Sequence, residues 1–417
     1  MINSTRKSKA IKVAAVAAAL GSLAAIGFAG SSPAQADPKA FKALVAVGSD
    51  TTQDVTNAFA GFSSGINYTP LQSTAASGQT QIISFDAGSA SCVATKTGLG
   101  AILRPNGSTA GRRILSQVAQ GLTTWGTGST CQAKDPSGTI DFARSSSGPA
   151  LQGTPATQPD TGTVLTYVPF ARDALTFAYY SADGTSGTDT TQVNLDTIFT
   201  NGTGLIGTTP VIPCGIQTSS GTYGSWNSMV GVTGDEMEFG TTLCRTLLGV
   251  PDATGRLQEH NGPQLKIKGD LLALQSNALC DGIVGGAVVP CTNTQVIIGF
   301  SASQFVARSN GQADPNPGPG VGLGSIAGQA FVTGTAPNVL ANATGYANTA
   351  FGRDVYNVFI SLVIDDTSNA VLQSLFVGPD SAVCSADTTV TSLGFIPLSN
   401  AACGTTTLRG SYFTGNS

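Results

Sequence analysis

Three short polar stretches carry residue types able to hold an anion: "GSDTT" at 48–52, "RSSSG" at 144–148 and "SGT" at 220–222. Ser49, Thr51, Thr52, Ser145, Ser146, Ser147, Ser220 and Thr222 bring hydroxyl donors, and Gly221 lets backbone approach a ligand closely. Arg144 brings a planar fork of N–H groups suited to two oxygens. Each stretch follows an apolar run, and the first and third precede a helix-like segment. In an open α/β sheet ligands bind beyond the carboxyl ends of strands, where the first amides of a helix point outward. The chemistry this allows is non-covalent capture of a small oxyanion. The competing reading is a set of plain polar turns, since Ser, Thr and Gly are ordinary turn residues. A hydrogen bond to a charged group contributes about 1.5–3 kcal/mol, whereas micromolar binding needs about 8 kcal/mol net. After the costs of association, no one turn suffices, so all three must meet in one place.

The elements that must position these turns alternate. "FKALVAV" (41–47) reads as a strand, and "QDVTNAFAGF" after it has Val55, Ala58, Phe59 and Phe62 at helical spacing, with Thr51 or Thr52 as cap. "GTIDFA" leads into the second turn and "TPVIPCG" (209–215) into the third. "VLTYVPFARDALTFAYY" (164–180) is the longest strand-like run and long enough to cross between lobes. "NLDTIF" (194–199) and "EFGTTLCRTLLG" (238–249) read as helices, "TQVIIGFSASQFVAR" as strand then helix, and "GRDVYNVFISLVI" (352–364) as a further strand. Residues 310–336 are rich in Gly and Pro and read as an excursion or hinge-side loop. Strands alternating with helices indicate an α/β fold.

Arg6, Lys7, Lys9 and Lys12 precede an apolar run that ends in "AQA" at 34–36, the form of an export signal with a cleavage site. No cysteine precedes Cys92, so a mature N-terminal lipid anchor is not expected, and the protein is expected outside the membrane, secreted or retained at the wall. Cleavage leaves 16 Lys and Arg against 24 Asp and Glu, a net charge near −8, which disfavours a nucleic-acid partner. About 380 mature residues exceed what one core normally supports, so two lobes are expected. Eight cysteines in an exported chain read as disulfides. Eight permit 105 connectivities. Sequential pairing (Cys92 with Cys131, Cys214 with Cys244, Cys280 with Cys291, Cys384 with Cys403) is favoured because each closes a modest loop. Zinc is disfavoured, as no two cysteines lie within four residues and His260 is the only histidine. No cofactor is expected.

Two other function classes compete. "GFSSG" (61–65) matches the nucleophile pattern of a hydrolase with Ser63 in the nucleophile slot, but a helix-like run precedes it where a strand is required. His260 lies in "LQEHNGP", a turn-like stretch, and reads as a loop-orienting or exposed residue, with a contact at a cleft edge as the lesser alternative. Asp235, Glu236 and Glu238 suit the start of a helix better than paired catalytic acids. A surface or wall-associated structural module is permitted by the low charge (11% charged residues) and 52 glycines.

"VGSDTTQDV", "IDFARSSSGP", "YVPFARDALTFAYY", "SSGTYGSW", "QEHNG", "GFSASQFVARSNG" and a late "GFIPL" resemble, in order, the secreted phosphate-type substrate-binding proteins of actinobacteria, in the type II periplasmic-binding-protein superfamily. The resemblance implies a monomer of two α/β lobes joined by crossover strands: residues 37–168 and 345–417 in one lobe, 169–344 in the other. It implies phosphate captured in the cleft between them, with an ABC-type permease as a further partner. Carried across by position, the anion turns fall on Ser49, Asp50, Thr51 and Thr52; on Arg144, Ser145, Ser146 and Ser147; and on Ser220, Gly221 and Thr222. Two departures matter. The family pattern has an arginine four residues before the serine of the third turn, where this chain has Ile216 followed by Gln217, and serine-aspartate in the second turn, where it has Arg144 and three serines. Arg144 is the candidate to replace the missing arginine. Asp50 is the candidate acceptor for the proton that phosphate carries and sulfate lacks, a discriminator that works by the penalty for leaving a buried group unpaired.

Overall fold

The computed structural model describes residues 44–74, 81–88, 91–149, 164–184, 187–247, 254–275, 280 and 291–413. The stretch expected to be an export signal lies outside the described residues. Among the described residues no helix is long and apolar enough to cross a membrane.

The first strand, β1 (Leu44–Gly48), ends in the polar turn and runs into helix α1 (Gln53–Phe59). β1 lies between two parallel partners, β2 (Ile82–Ser84) and β3 (Phe142–Ser145), the latter ending in the second polar turn. Helix α2 (Ser108–Gln120) packs on β1 and β3. Strand β4 (Val164–Tyr180) is 17 residues long, as the continuous apolar run suggests, and almost every residue of it is buried. Past it come α3 (Gln192–Asn201), β5 (Gly204–Ile206), β6 (Thr209–Pro213), α4 (Gly221–Val230), α5 (Gly234–Gly240), α6 (Thr242–Leu247) and α7 (Gly262–Ala273). Then β7 (Gln295–Ser301), α8 (Ala302–Ser309) and β8 (Gly352–Ile360) complete the main elements.

These strands form one sheet in the order β5-β6-β7-β4-β8-β3-β1-β2. β4 is its spine. Its first half pairs antiparallel with β8 and its second half antiparallel with β7, so the sheet divides along β4 into two halves. Each half is covered on both faces. Val55, Phe59, Phe142, Phe170, Phe359 and Phe376 pack on one face of the first half, and Val45, Ile83, Ile114, Trp125 and Tyr167 on the other. In the second half, Phe177, Phe199, Trp226 and Phe331 cover one face and Ile212, Leu265, Ile298 and Phe300 the other. The mixed α/β architecture is the one expected from the alternating elements, and the two halves match the two lobes expected from the length of the chain. Ala302 and Phe305 pack with the second lobe while Ala307 and Ala313 join the first lobe's core, so α8 spans the boundary between them.

Several local readings differ in detail. Thr52 occupies the cap position of α1, but its side chain makes no capping bond. The run 352–364 is a strand only to Ile360, after which Ser361–Ile364 turns helical and Ser361 hydroxyl bonds Thr166 at 2.8 Å. The helix expected over 238–249 breaks at Thr241, between α5 and α6, and its last two residues lie outside the described ones. Asp235 and Glu236 do open a helix, and Glu236 forms a capping box with Thr233. Ser63 sits on a short hairpin and donates to Asp54 at 3.2 Å. Within 310–336, Gly322–Leu323 adds to the edge of β4, so part of that excursion is bound to the sheet.

All eight cysteines pair sequentially: 92–131, 214–244, 280–291 and 384–403. The 214–244 and 280–291 bridges sit in the second lobe's core and 384–403 in the first lobe's, while 92–131 ties two surface segments of the first lobe, with Cys92 exposed. Closing a loop of this size constrains the unfolded chain by about 3 kcal/mol. Replacing Cys384 and Cys403 together by serine is therefore expected to lower the unfolding free energy by about 2–4 kcal/mol in denaturant melts. No change would mean that the unfolded chain is already constrained there.

Candidate functional site

At the boundary between the sheet halves, three of the segments that cross from lobe to lobe come together: β4 near Asp173, the β7–α8 junction at Ser301, and the start of β8 at Arg353. Asp173 and Arg353 are directly opposite in the antiparallel ladder. Asp173 Oδ2 accepts from Arg353 Nε at 3.0 Å and Nη2 at 2.8 Å. Its other oxygen accepts from the Ser301 hydroxyl at 2.8 Å and the Ser303 amide at 3.2 Å. The carboxylate is fully buried, and these bonds saturate it, which is what a buried ion pair needs to offset desolvation.

The guanidinium of Arg353 reaches beyond Asp173. Nη2 approaches Thr222 Oγ1 at 2.9 Å and Thr51 Oγ1 at 3.4 Å, and the two hydroxyls lie 3.1 Å apart. Thr51 comes from the first turn and Thr222 from the third, 171 positions away, so the two turns meet across the lobe boundary. The second turn joins them. Ser49 amide donates to Arg144 carbonyl at 3.1 Å, and Ser146 hydroxyl lies 3.2 Å from Ser108 hydroxyl. A Cβ on Gly221 would stand 2.6 Å from Ser146 Oγ and closer still to Ser108 Oγ, so only glycine lets helix α4 start here. A fourth turn, 106–109, thus enters the cluster: Thr109 amide donates to Ser219 carbonyl at 3.1 Å, and the Ser219 hydroxyl donates to Asn106 carbonyl.

The turn residues then divide by what their polar atoms do. Ser49 Oγ and Thr52 Oγ1 are buried with no partner. Ser145 hydroxyl donates to Ser147 carbonyl at 2.7 Å and accepts the Ser147 amide at 3.3 Å, a closed local turn. Ser147 hydroxyl accepts from Arg112 at 3.1 Å. Ser220 caps α4, accepting from the amides of Thr222 (2.9 Å) and Tyr223 (3.2 Å), and donates to Glu259. Asp50 accepts from Gln258 at 2.9 Å and lies 3.8 Å from Arg308.

Arg144 is not where the sequence reading needs it. Its guanidinium is fully buried and turned inward, donating to the carbonyls of Ser49 (3.1 Å), Gly48 (3.5 Å) and Phe85 (2.9 Å) and to the Ser84 hydroxyl. Burial lowers its pKa to about 10, against the pull of Asp86, Asp50 and Asp54. Arg144 ties together the ends of β1, β2 and β3 from beneath, and the cation at the threonine pair is Arg353. Its Nη1 is buried and has no partner.

His260 also departs from expectation: it is fully buried, in the left-handed region at φ 61°, and belongs to the center of the cluster. Its Nε2 lies 3.0 Å from Thr51 Oγ1 and 3.4 Å from Glu259 Oε2, and its Nδ1 accepts the Ser301 amide at 3.3 Å. Glu259, in the same turn, is buried, and its Oε1 has no partner. Burial pushes its carboxyl up, but hydrogen bonds from His260, Ser220 and Thr222 outweigh this and hold it below the usual range. Ile216, at the position where the family pattern has arginine, is a core residue, and Gln217 accepts the Glu259 amide at 2.7 Å. Among the described residues, no group of three or more His, Cys, Asp or Glu could hold a metal ion.

No family model matches the chain, and no curated protein matches it in sequence. Its fold is similar to those of several solved structures. One, from Clostridium perfringens, is described as a phosphate ABC transporter substrate-binding protein with bound phosphate; it shares 11% identity over 85% of this chain and 99% of that chain, with a TM-score of 0.42. PstS from Borrelia burgdorferi shares 14% over 86% and 99%, TM-score 0.34. A possible phosphate binding protein from Planctomyces limnophilus shares 12% over 87% and 95%, TM-score 0.36. Overlaps this partial carry no residue roles onto this chain.

Burial pushes the Asp50 carboxyl from 3.8 up to about 6, Glu259 adds to the rise, and Arg308 and Gln258 oppose it. A carboxyl with a raised folded pKa binds its proton more readily folded than unfolded. Stability is therefore lost as pH rises from about 4 to about 6 and stays lost above that. Asp50→Asn is expected to raise Tm relative to the parent at about pH 7.5 and to leave it nearly unchanged at about pH 4. A lower Tm for the variant at the higher pH would show that the charged bond to Gln258 outweighs burial.

Proposed function

We propose that the protein is a monomeric solute-binding protein that captures hydrogen phosphate, or a related protonated oxyanion, between its lobes. The observation that carries this reading is that one guanidinium, Arg353, serves a hydroxyl from each lobe, Thr51 and Thr222, and keeps a buried nitrogen without a protein partner. A planar fork with a spare N–H pair, surrounded by hydroxyls, suits a tetrahedral oxyanion. Ser49, Thr52 and Ser146 stand on the turns that flank it. Gly221 allows the close approach, while Ser220, Ser145, Ser147 and Arg144 hold the turns in shape.

Selectivity follows from the carboxylates. Glu259 is held ionised beside the hydroxyls, with one oxygen unpaired, and Asp50 stands on the facing turn already bonded to Gln258. A ligand bearing its own proton can donate to Glu259, whereas sulfate brings only acceptors and leaves two like charges facing each other. Glu259 thereby takes the role that sequence alone gave to Asp50.

A binding protein fits the cluster better than a hydrolase. A serine or threonine nucleophile needs a histidine whose far nitrogen donates to a carboxylate. Here that nitrogen, Nδ1, accepts from a backbone amide instead, so an imidazolium has no stabilising partner there. The disulfides suit an oxidising compartment. Release of the captured anion to an ABC-type permease outside the membrane is the role in which such a protein would act.

Titration calorimetry on the mature chain is expected to show phosphate binding and little heat with sulfate. Arg353→Lys keeps the charge but loses the fork, and is expected to weaken phosphate at least about tenfold; unchanged affinity would take Arg353 out of the site. Glu259→Gln is expected to narrow the preference for phosphate over sulfate, because an amide can donate to an oxygen that carries no proton. An unaltered ratio would shift the discriminating role elsewhere.

A further inference from the structure

We propose that His260 is a positioning residue whose tautomer is set by the Ser301 amide at the lobe crossover, and that it turns the Thr51 hydroxyl into a donor toward the bound anion. This rests on the oxyanion reading above. The Ser301 N–H points at Nδ1 at 3.3 Å, so Nδ1 carries a lone pair and the ring's proton sits on Nε2. A second contact requires the same. Nε2 lies 3.4 Å from the Glu259 carboxylate, and a lone pair there would face another acceptor. The edge of Phe300 lies against the ring, with centroids 5.1 Å apart at 73°, and fixes its plane.

The hydrogen-bond polarity of the cluster then follows by counting. The two hydrogens of Arg353 Nη2 go to Asp173 at 2.8 Å and Thr222 at 2.9 Å, and Thr51 Oγ1 accepts from His260 Nε2 at 3.0 Å. Its own hydrogen is left to donate, here to Thr222 Oγ1 at 3.1 Å. Thr222 Oγ1 accepts from Thr51 and from Arg353 at 2.9 Å, so its hydrogen turns to Glu259. With the opposite tautomer Thr51 would donate to the imidazole and present only a lone pair to an anion. Ser301 also donates its hydroxyl to Asp173, so one crossover residue sets both the aim of the arginine and the direction of the threonine.

The chain has one histidine, so its imidazole nitrogens are the only such signals in a nitrogen-15 spectrum of the labelled full-length protein. At about neutral pH the expected pattern is one protonated and one unprotonated nitrogen, with ring-proton couplings that place the proton on Nε2. A proton on Nδ1, or on both nitrogens, overturns the proposal. Calorimetry with inorganic phosphate provides the second arm. His260→Leu, which cannot donate, is expected to weaken phosphate by about tenfold or more. His260→Gln, which offers an amide N–H to Thr51 and an oxygen to Ser301, is expected to lose distinctly less. Equal losses in the two variants, or none in the leucine variant, also overturn it. Absence of phosphate binding by the parent protein defeats the oxyanion reading itself, and the spectrum still decides the tautomer.

Discussion

A single buried carboxylate, Asp173, accepts hydrogen bonds from two other segments that cross between the lobes. Breaking a buried pair of this kind by removing one partner typically costs about 3–5 kcal/mol, because the other charge is left stranded. Its placement has a simple origin in the ladder. Arg172-Asp173 on β4 lies antiparallel to Arg353-Asp354 on β8, so each arginine faces an aspartate. Successive side chains point to opposite faces, so one pair, Asp173–Arg353, is buried among the turns, and the other, Arg172–Asp354 at 2.8 Å, stays partly exposed. A slip of one residue would put like charges opposite one another and expose the buried pair. Register at the lobe boundary and the aim of Arg353 toward the threonine pair are therefore the same constraint.

The polar cluster that this constraint supports is built in two layers. Arg144 belongs to the lower one: it binds carbonyls at the ends of three strands and so fixes where the first two turns begin. Arg112 does comparable work from α2, donating to Ser147 hydroxyl and to the carbonyls of Ser147 and Gly148. The upper layer consists of Thr51, Thr222, His260, Glu259 and Arg353, with Gln304 donating to Thr51 carbonyl at 2.7 Å. Buried arginines thus serve two purposes, shaping backbone in one layer and facing hydroxyls in the other. Residue type alone does not tell them apart.

That distinction marks the limit of what could be read from the sequence. The strand–turn–helix grammar identified β1 with its turn, the long β4 and the start of α4, because apolar runs ending in Ser, Thr and Gly report local backbone geometry. Sequential cysteine pairing was also legible, since short loops close easily. The turns at 106–109 and 258–260 were missed as parts of the site, and so was Arg353. "PNGST" has the same Gly-Ser-Thr grammar before a helix as the third turn, and was a usable signal. The repeated Arg-Asp in "ARDAL" and "GRDVY" was another, once both runs are read as antiparallel strands. His260 gave no local signal. Its partners, Phe300 and Ser301 from one distant segment and Thr51 from another, leave no local trace, and a left-handed backbone turned inward looks, in sequence, like any exposed Asn-Gly bend.

The four disulfides knit each half to itself and never one half to the other. Apart from the passages of main chain, the ties between the halves are non-covalent. Reductant should therefore slacken each half internally while leaving the contacts of Asp173 between them in place. Two kinds of rigidity, one made of sulfur and one of ionic contacts, can accordingly be loosened separately in this molecule.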